Sequence, residues 1–151
     1  MDVNKIINEL NLRVPSIVKG IKLVKFQYCA SQDFVALFYI DTIFYTDRLF
    51  LEFNHEEQLF IVAHEAMHFM IREQKRDLKN NNKNEELLNY VEDAWINQLL
   101  IKLGLTPPKD VVLIEDALNY SIDELYKMYL LRINEVKSYF CPVDIDSIIK
   151  K

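Results

Sequence analysis

The sequence predicts an α+β fold, in which a small and mainly antiparallel sheet packs on one central helix with other helices around it. Three observations lead to this prediction. Short aromatic and β-branched segments lie in the first third of the chain, a long helix that is apolar on nearly all sides follows, and further capped helices come after it. Only 2 of the 151 residues are glycine, so few positions require a positive φ and regular elements should dominate.

Length and composition predict a single compact domain over residues 1–151. Half of the residues are hydrophobic and 12% are aromatic, which is enough for a substantial core. The net charge is −5 and the basic residues are scattered, so we expect no nucleic-acid partner. Charged residues interrupt the first twenty positions, and no stretch is apolar for long enough to span a bilayer. We therefore expect a cytoplasmic protein with no membrane partner.

The first half of the chain is predicted to hold a helix and then the sheet. Apolar residues recur at helical spacing over residues 2–12. Three later segments have the aromatic and β-branched composition of strands, and turn-like residues separate them. The predicted strands are 21–28, 34–40 and 48–53, and the turn before the last strand is 41–47.

The central helix is predicted over about residues 55–74. Asn54 and Glu57 form a capping-box pair at its start. Because the helix is apolar on nearly all sides, it should lie in the middle of the domain rather than at the surface. An Asn-rich loop over residues 77–84 follows it.

The second half of the chain is predicted to be helical. One long helix spans about residues 85–103, with Gly104 placed to end it. Ser121 and Glu124 form another capping box, for a helix that reaches about residue 132. A short last helix after Pro142 completes the predicted elements.

A metal-binding motif, His64-Glu65-Ala66-Met67-His68, lies within the central helix. Residues at i and i+4 share one helix face, so the two histidines can bind one ion. Glu65 is one step round the helix, within reach of a metal-bound water that zinc makes acidic. Burying these three residues in an apolar helix as ordinary core would be costly without a metal. The motif therefore predicts a zinc site with Glu65 as the general base.

The third zinc ligand must come from another part of the chain, because catalytic zinc sites use three protein ligands plus water. The remaining histidine, His55, lies at the start of the same helix and on the wrong face. A carboxylate of the second helix is then the candidate. Asp93 is favoured because Asn89, Asp93 and Asn97 form one polar stripe at i, i+4 and i+8. Glu92 is the alternative ligand.

Taken together, these motifs resemble the metallopeptidase domain that is often found ahead of a von Willebrand factor A-like domain in bacterial proteins. That family combines HExxH with a later helix of the form Asn-x-x-x-Asp-x-x-x-Asn, and the resemblance covers roughly residues 15–130. Thr46-Asp47 is similar to the family's Thr-Asp-Gly turn, although Arg48 replaces the glycine. The other matching residues are His64, Glu65, His68, Asn89, Asp93, Asn97, Leu103-Gly104-Leu105, Pro107-Pro108 and the segment from Ser121 to Tyr126.

The resemblance implies a zincin-like fold and zinc-dependent hydrolysis of a peptide or protein substrate. The candidates for the donor that stabilises the developing oxyanion are Tyr90, Tyr120 and Tyr126, and Tyr126 is favoured because it lies in the last matching segment. In such folds an extended peptide pairs with an edge strand, which segment 34–40 or segment 48–53 could supply. A separate regulatory partner protein is a further expectation. The alternatives are a catalytically silent, metal-bearing protein-binding module and a zinc hydrolase of a non-peptide amide.

Overall fold

The computed structural model describes residues 2–74 and 84–132, and it has an α+β architecture. The predicted loop 77–84, apart from Asn84, and the predicted last helix after Pro142 lie outside the described residues. Within the described ranges, six α-helices and three strands follow one another along the chain. The helices are α1 (Val3–Arg13), α2 (Val18–Leu23), α3 (Arg48–Leu51), α4 (His55–Gln74), α5 (Glu85–Lys102) and α6 (Ile122–Leu130), and the strands are β1 (Lys25–Tyr28), β2 (Ala36–Tyr39) and β3 (Thr42–Tyr45).

Side-chain caps set the starts of the long helices. The Asn54 side chain accepts a hydrogen bond from the Glu57 backbone N–H at 2.9 Å, and the Glu57 carboxylate accepts one from the Asn54 backbone N–H at 2.9 Å. Ser121 and Glu124 make the same reciprocal pair at the start of α6. The predicted capping boxes are therefore present, and the predicted helices over 55–74 and 85–103 match α4 and α5 to within one residue.

The sheet is mixed, whereas the sequence predicted a mainly antiparallel sheet. Its strand order is β1-β3-β2, with β3 parallel to β1 and antiparallel to β2. Segment 41–47, predicted as a turn, contains the central strand β3. The reversal between β2 and β3 takes only Ile40 and Asp41, with Ile40 at φ 60°, so Thr42 already pairs with Tyr39.

Segment 48–53, predicted as a strand, forms the short helix α3. Arg48 and Glu52 are four residues apart and form an ion pair on the exposed side of the turn. Leu49 points inward and is fully buried. This i, i+4 pair favours a helical turn over an extended strand, and the segment therefore cannot supply an edge strand.

Helix α4 lies at the centre of the domain, as its all-round apolar sequence predicts. Five consecutive residues, 59–63, are each at most 1% exposed, so the helix is covered in every direction around its axis. It packs against α1, α2, α3, α5 and strand β2. In the part of the chain that the structure describes, no helix is long and apolar enough to cross a membrane.

Candidate metal centre

Helices α4 and α5 lie side by side and antiparallel, and their contacts repeat every four residues on both helices. Because the contacting residues are four positions apart on each helix, one side chain of α5 lies opposite each of three successive turns of α4. The three contacting pairs are His64 with Asn97, His68 with Asp93, and Arg72 with Asn89. The polar stripe of α5 therefore faces the histidine face of α4.

Three donor atoms converge at the middle of this contact. Oδ1 of Asp93 lies 2.8 Å from Nε2 of His68 and 3.2 Å from Nε2 of His64. The two Nε2 atoms lie 3.1 Å apart. The three residues are each at most 2% exposed, so they form a compact buried triangle of two imidazole nitrogens and one carboxylate oxygen.

The second carboxylate of α5 contacts the other side of one histidine ring. Oε2 of Glu92 lies 3.5 Å from Nδ1 of His68 and 3.9 Å from a guanidinium nitrogen of Arg72. Glu92 is 3% exposed. The structure thus places Asp93, and not Glu92, beside the two Nε2 atoms, while Glu92 faces the nitrogen of His68 that points away from the triangle.

Glu65 follows His64 on α4 and is 1% exposed. Phe69, one turn later on the same face of the helix, packs edge-to-face against Phe38 of β2, with ring centroids 5.7 Å apart. The face of α4 that carries Glu65 is therefore turned toward strand β2, which lies at an edge of the sheet formed by the described residues. Glu65 is thus adjacent in sequence to one residue of the donor triangle and lies on the face of α4 that is turned toward β2.

A sequence model of a family described as "putative metallopeptidase domain" matches residues 37–136, about two thirds of the chain. The chain belongs to this family. The match includes α4, α5 and α6, and therefore the donor triangle and Glu65. Among curated proteins and among solved structures, no match to the chain was found.

A metallopeptidase domain implies a metal cofactor, and the donor triangle fits one. His64, His68 and Asp93 each offer one ligand atom, all within 4.8 Å of one another. Two imidazole nitrogens and a carboxylate oxygen are ligands that zinc takes in catalytic sites. Around a tetrahedral zinc ion, donors lie about 3.3–3.5 Å apart. The three donor atoms could therefore hold the ion if each moved outward by a few tenths of an ångström.

Tyr126, the remaining predicted site residue, and His55, which the sequence excluded as a ligand, lie elsewhere in this metallopeptidase domain. The hydroxyl of Tyr126 accepts a hydrogen bond from the Asn84 backbone N–H at 2.8 Å. Asn84 precedes α5 and is nine residues before Asp93, about 13 Å by helical rise. The role of Tyr126 as an oxyanion donor stays a prediction. His55 is exposed, and its Nε2 lies 2.8 Å from a carboxylate oxygen of Glu9, outside the triangle.

Two groups around the site did not emerge from the sequence. Arg72 lies one turn beyond His68, beside Asn89 and Glu92, and its guanidinium carbon lies 5.7 Å from the centroid of the Phe38 ring. Arg72 follows His64 and His68 at the same four-residue interval, and this spacing could have identified it from the sequence. The backbone carbonyl of Val112 accepts a hydrogen bond from the Asn97 side chain at 2.9 Å, and a carbonyl in an irregular segment gives no side-chain signal.

Proposed function

We propose that this domain is a zinc-dependent metallopeptidase with a zincin-like active site. His64, His68 and Asp93 are the zinc ligands, and Glu65 is the general base. The observation that carries the proposal is the meeting of two Nε2 atoms and one Asp93 oxygen within 3.2 Å of one another between α4 and α5. A buried set of donors with this chemistry is suited to zinc.

In this mechanism Glu65 transfers one proton from the attacking water to the leaving amine. Zinc, when bound, supplies Lewis acidity that brings the pKa of water toward 7 and polarises the scissile carbonyl. A Glu65 carboxylate oxygen accepts the proton from the attacking water as the water oxygen bonds to the carbonyl carbon. Glu65 then delivers that proton to the leaving amine nitrogen as the peptide C–N bond breaks.

Strand β2 is the element that we assign to substrate binding. In the described part of the sheet, β2 pairs with β3 on one side only, and it lies within segment 34–40. An extended peptide can add to such an edge through main-chain hydrogen bonds. The contact between Phe38 and Phe69 joins this strand to the helix that carries Glu65, so a peptide on β2 would lie beside the catalytic face of α4.

A second candidate function is a metal-bearing binding module without turnover, and the burial of the site favours it. His64, Glu65, His68 and Asp93 are each at most 2% exposed. Structural zinc sites are closed, whereas catalytic sites keep one position open to water or substrate. Peptide hydrolysis therefore requires that the site opens to admit both, while a silent module requires no opening.

Hydrolysis of a broad peptide library by the zinc-loaded protein distinguishes the two functions. We expect cleavage by the wild type and its loss in Glu65→Gln, which keeps the shape of the side chain and cannot act as a base at neutral pH. The exposed Glu86 of α5 gives the control, Glu86→Gln, which should cleave like the wild type. All three proteins should hold equal amounts of zinc.

Three other outcomes would change the assigned function or the role of Glu65. Zinc binding without cleavage by the wild type supports the silent module. Cleavage by Glu65→Gln at the wild-type rate removes Glu65 from the mechanism. Failure of the wild type to bind zinc contradicts both candidate functions.

A further inference from the structure

Asn97 connects the metal centre to the segment that follows α5. It lies one turn after Asp93 and is fully buried. Its Oδ1 lies 2.8 Å from Nδ1 of His64. Its Nδ2 donates a hydrogen bond to the backbone carbonyl oxygen of Val112 at 2.9 Å. The amide thus bridges a backbone carbonyl on one side and a histidine ring on the other.

The two contacts of this amide determine which nitrogen of His64 carries the proton. The Val112 carbonyl can only accept a hydrogen bond, so the Asn97 group that faces it must be the NH₂. The Asn97 oxygen therefore faces His64. Because that oxygen can also only accept, Nδ1 of His64 must be the protonated nitrogen. In the neutral ring that binds zinc, Nε2 then presents its lone pair toward His68 and Asp93, where the other two donors lie.

We propose that Asn97 is a positioning residue that holds His64 in the tautomer whose Nε2 carries the lone pair that binds zinc. The proposal rests on the proposed function for the identity of the site. Hydrogen bonds to the second nitrogen of a metal-binding histidine commonly fix its ring and tautomer. Here the acceptor is a neutral amide whose own orientation is fixed by the backbone at Val112. The irregular segment after α5 thereby controls one ligand of the ion.

The other asparagine of the stripe does not share this role, although it is equally far from Asp93 in sequence. Asn89 is half-buried, and its Oδ1 accepts a hydrogen bond from Arg72 at 3.4 Å. Asn89 and Asn97 are thus a matched pair on one helix face, of which only Asn97 contacts a ring of the donor triangle. The pair provides the test and its control.

Nitrogen NMR of ¹⁵N-histidine-labelled, zinc-loaded protein tests the proposal. The chain has 3 histidines, and the exposed His55 serves as an internal reference. We expect His64 with Nδ1 protonated and Nε2 bound to zinc. Asn97→Leu should lose this fixed tautomer and weaken zinc binding by about 10- to 100-fold, as measured by competition with a chelator. Asn89→Leu should keep both the tautomer and the affinity of the wild type.

Binding of zinc by His64 through Nδ1 would overturn the proposal, and so would wild-type zinc affinity in Asn97→Leu. If Asn97→Leu does not fold, the wild-type spectrum decides alone. If the wild type binds no zinc, the proposed function fails. The tautomer of neutral His64 in the metal-free spectrum then still tests Asn97, because a neutral ring with its single proton on Nε2 contradicts the role given to the amide.

Discussion

Oδ1 of Asp93 approaches Nε2 of His68 at 2.8 Å, across the contact between α5 and α4. The two residues are 25 positions apart in the sequence and come together because both helices place a polar residue on every turn of their shared face. The same oxygen lies 3.2 Å from Nε2 of His64. Helix α4 therefore supplies two nitrogen donors, and one carboxylate oxygen of α5 supplies the third donor of the set.

Asp93→Asn should weaken zinc binding more than Glu92→Gln does. Asp93 is proposed to bind the ion directly, so its loss should exceed the roughly 10- to 100-fold typical of residues that only hydrogen-bond to a ligand. Glu92 contacts the Nδ1 side of His68 and should fall within that smaller range. A zinc titration against a competing chelator measures both variants, and the reverse order would make Glu92 the ligand.

Zinc should stabilise the wild-type fold, and the double variant His64→Ala/His68→Ala should lose this effect. A ligand at 100 times its Kd stabilises a folded chain by about 2.7 kcal/mol, which is about 5–11 °C in Tm for a protein of this size. Thermal unfolding with and without zinc, together with metal analysis showing about one zinc per chain, measures it. An equal rise in Tm in the double variant would place the bound zinc elsewhere.

The two glycines should resist substitution for different reasons. A Cβ at Gly20 would lie 2.2 Å from Cγ of Met70, so Gly20→Ala forces the Met70 side chain to move and should cost about 1–3 kcal/mol in the free energy of unfolding. Gly104 has φ 96° with open space around it, so Gly104→Ala should cost about 1–3 kcal/mol through backbone strain alone. Chemical denaturation measures both.

A compensating change separates the two mechanisms. Met70→Ala removes the atoms that a Cβ at Gly20 would meet, so it should recover part of the loss in Gly20→Ala. It should recover nothing in Gly104→Ala. Equal effects of Met70→Ala on both glycine variants would show that contact with Met70 is not the cause at Gly20.

An ion-pair cluster between α1 and the start of α4 should make stability depend on pH in the acidic range. Hydrogen bonds from His55 and Arg13 hold the pKa of Glu9 below its ordinary value of 4.5. The folded chain therefore favours the charged form of Glu9. The resulting stabilisation is present above pH 4.5 and is lost as the pH falls through the lower folded-state pKa.

Glu9→Gln should consequently lower Tm at pH 7 by up to about 4 °C, the range for a partly exposed ion pair in a protein of this size. The difference from the wild type should vanish at a pH below both pKa values. The exposed Glu115 provides the control, Glu115→Gln. A Tm difference for Glu9→Gln that is unchanged across this range would contradict the ionic origin.

Helices were predictable from the sequence because their signals are local. A capping box marks the start of a helix within four residues of sequence. Both predicted boxes are present, one formed by Asn54 and Glu57 and the other by Ser121 and Glu124. The strands were predicted less well because pairing is decided between segments. Thr42–Tyr45 consists of β-branched and aromatic residues, which favour a strand, but the prediction assigned it to a turn. Its place between β1 and β2 depends on segments that lie apart in the sequence.

The arrangement of the candidate metal ligands was predictable where it depends on residue spacing along one helix. The four-residue interval places His64 above His68 on one helix, and the same interval singles out Asp93 within the stripe of α5. The distinct roles of Asn89 and Asn97 depend on what each meets, namely Arg72 for the first and His64 with Val112 for the second. These partners follow from the antiparallel packing of the helices and from the course of the chain after α5.

A crystal structure of the zinc-loaded protein, with the ion located by anomalous scattering at the zinc edge, tests the central claim most directly. We predict one zinc ion between α4 and α5, with Nε2 of His64 and of His68 about 2.0–2.1 Å from it and an Asp93 oxygen at about 2.0–2.2 Å. Zinc held by Glu92 with Asp93 turned away from it, or zinc bound outside this contact, would contradict the account.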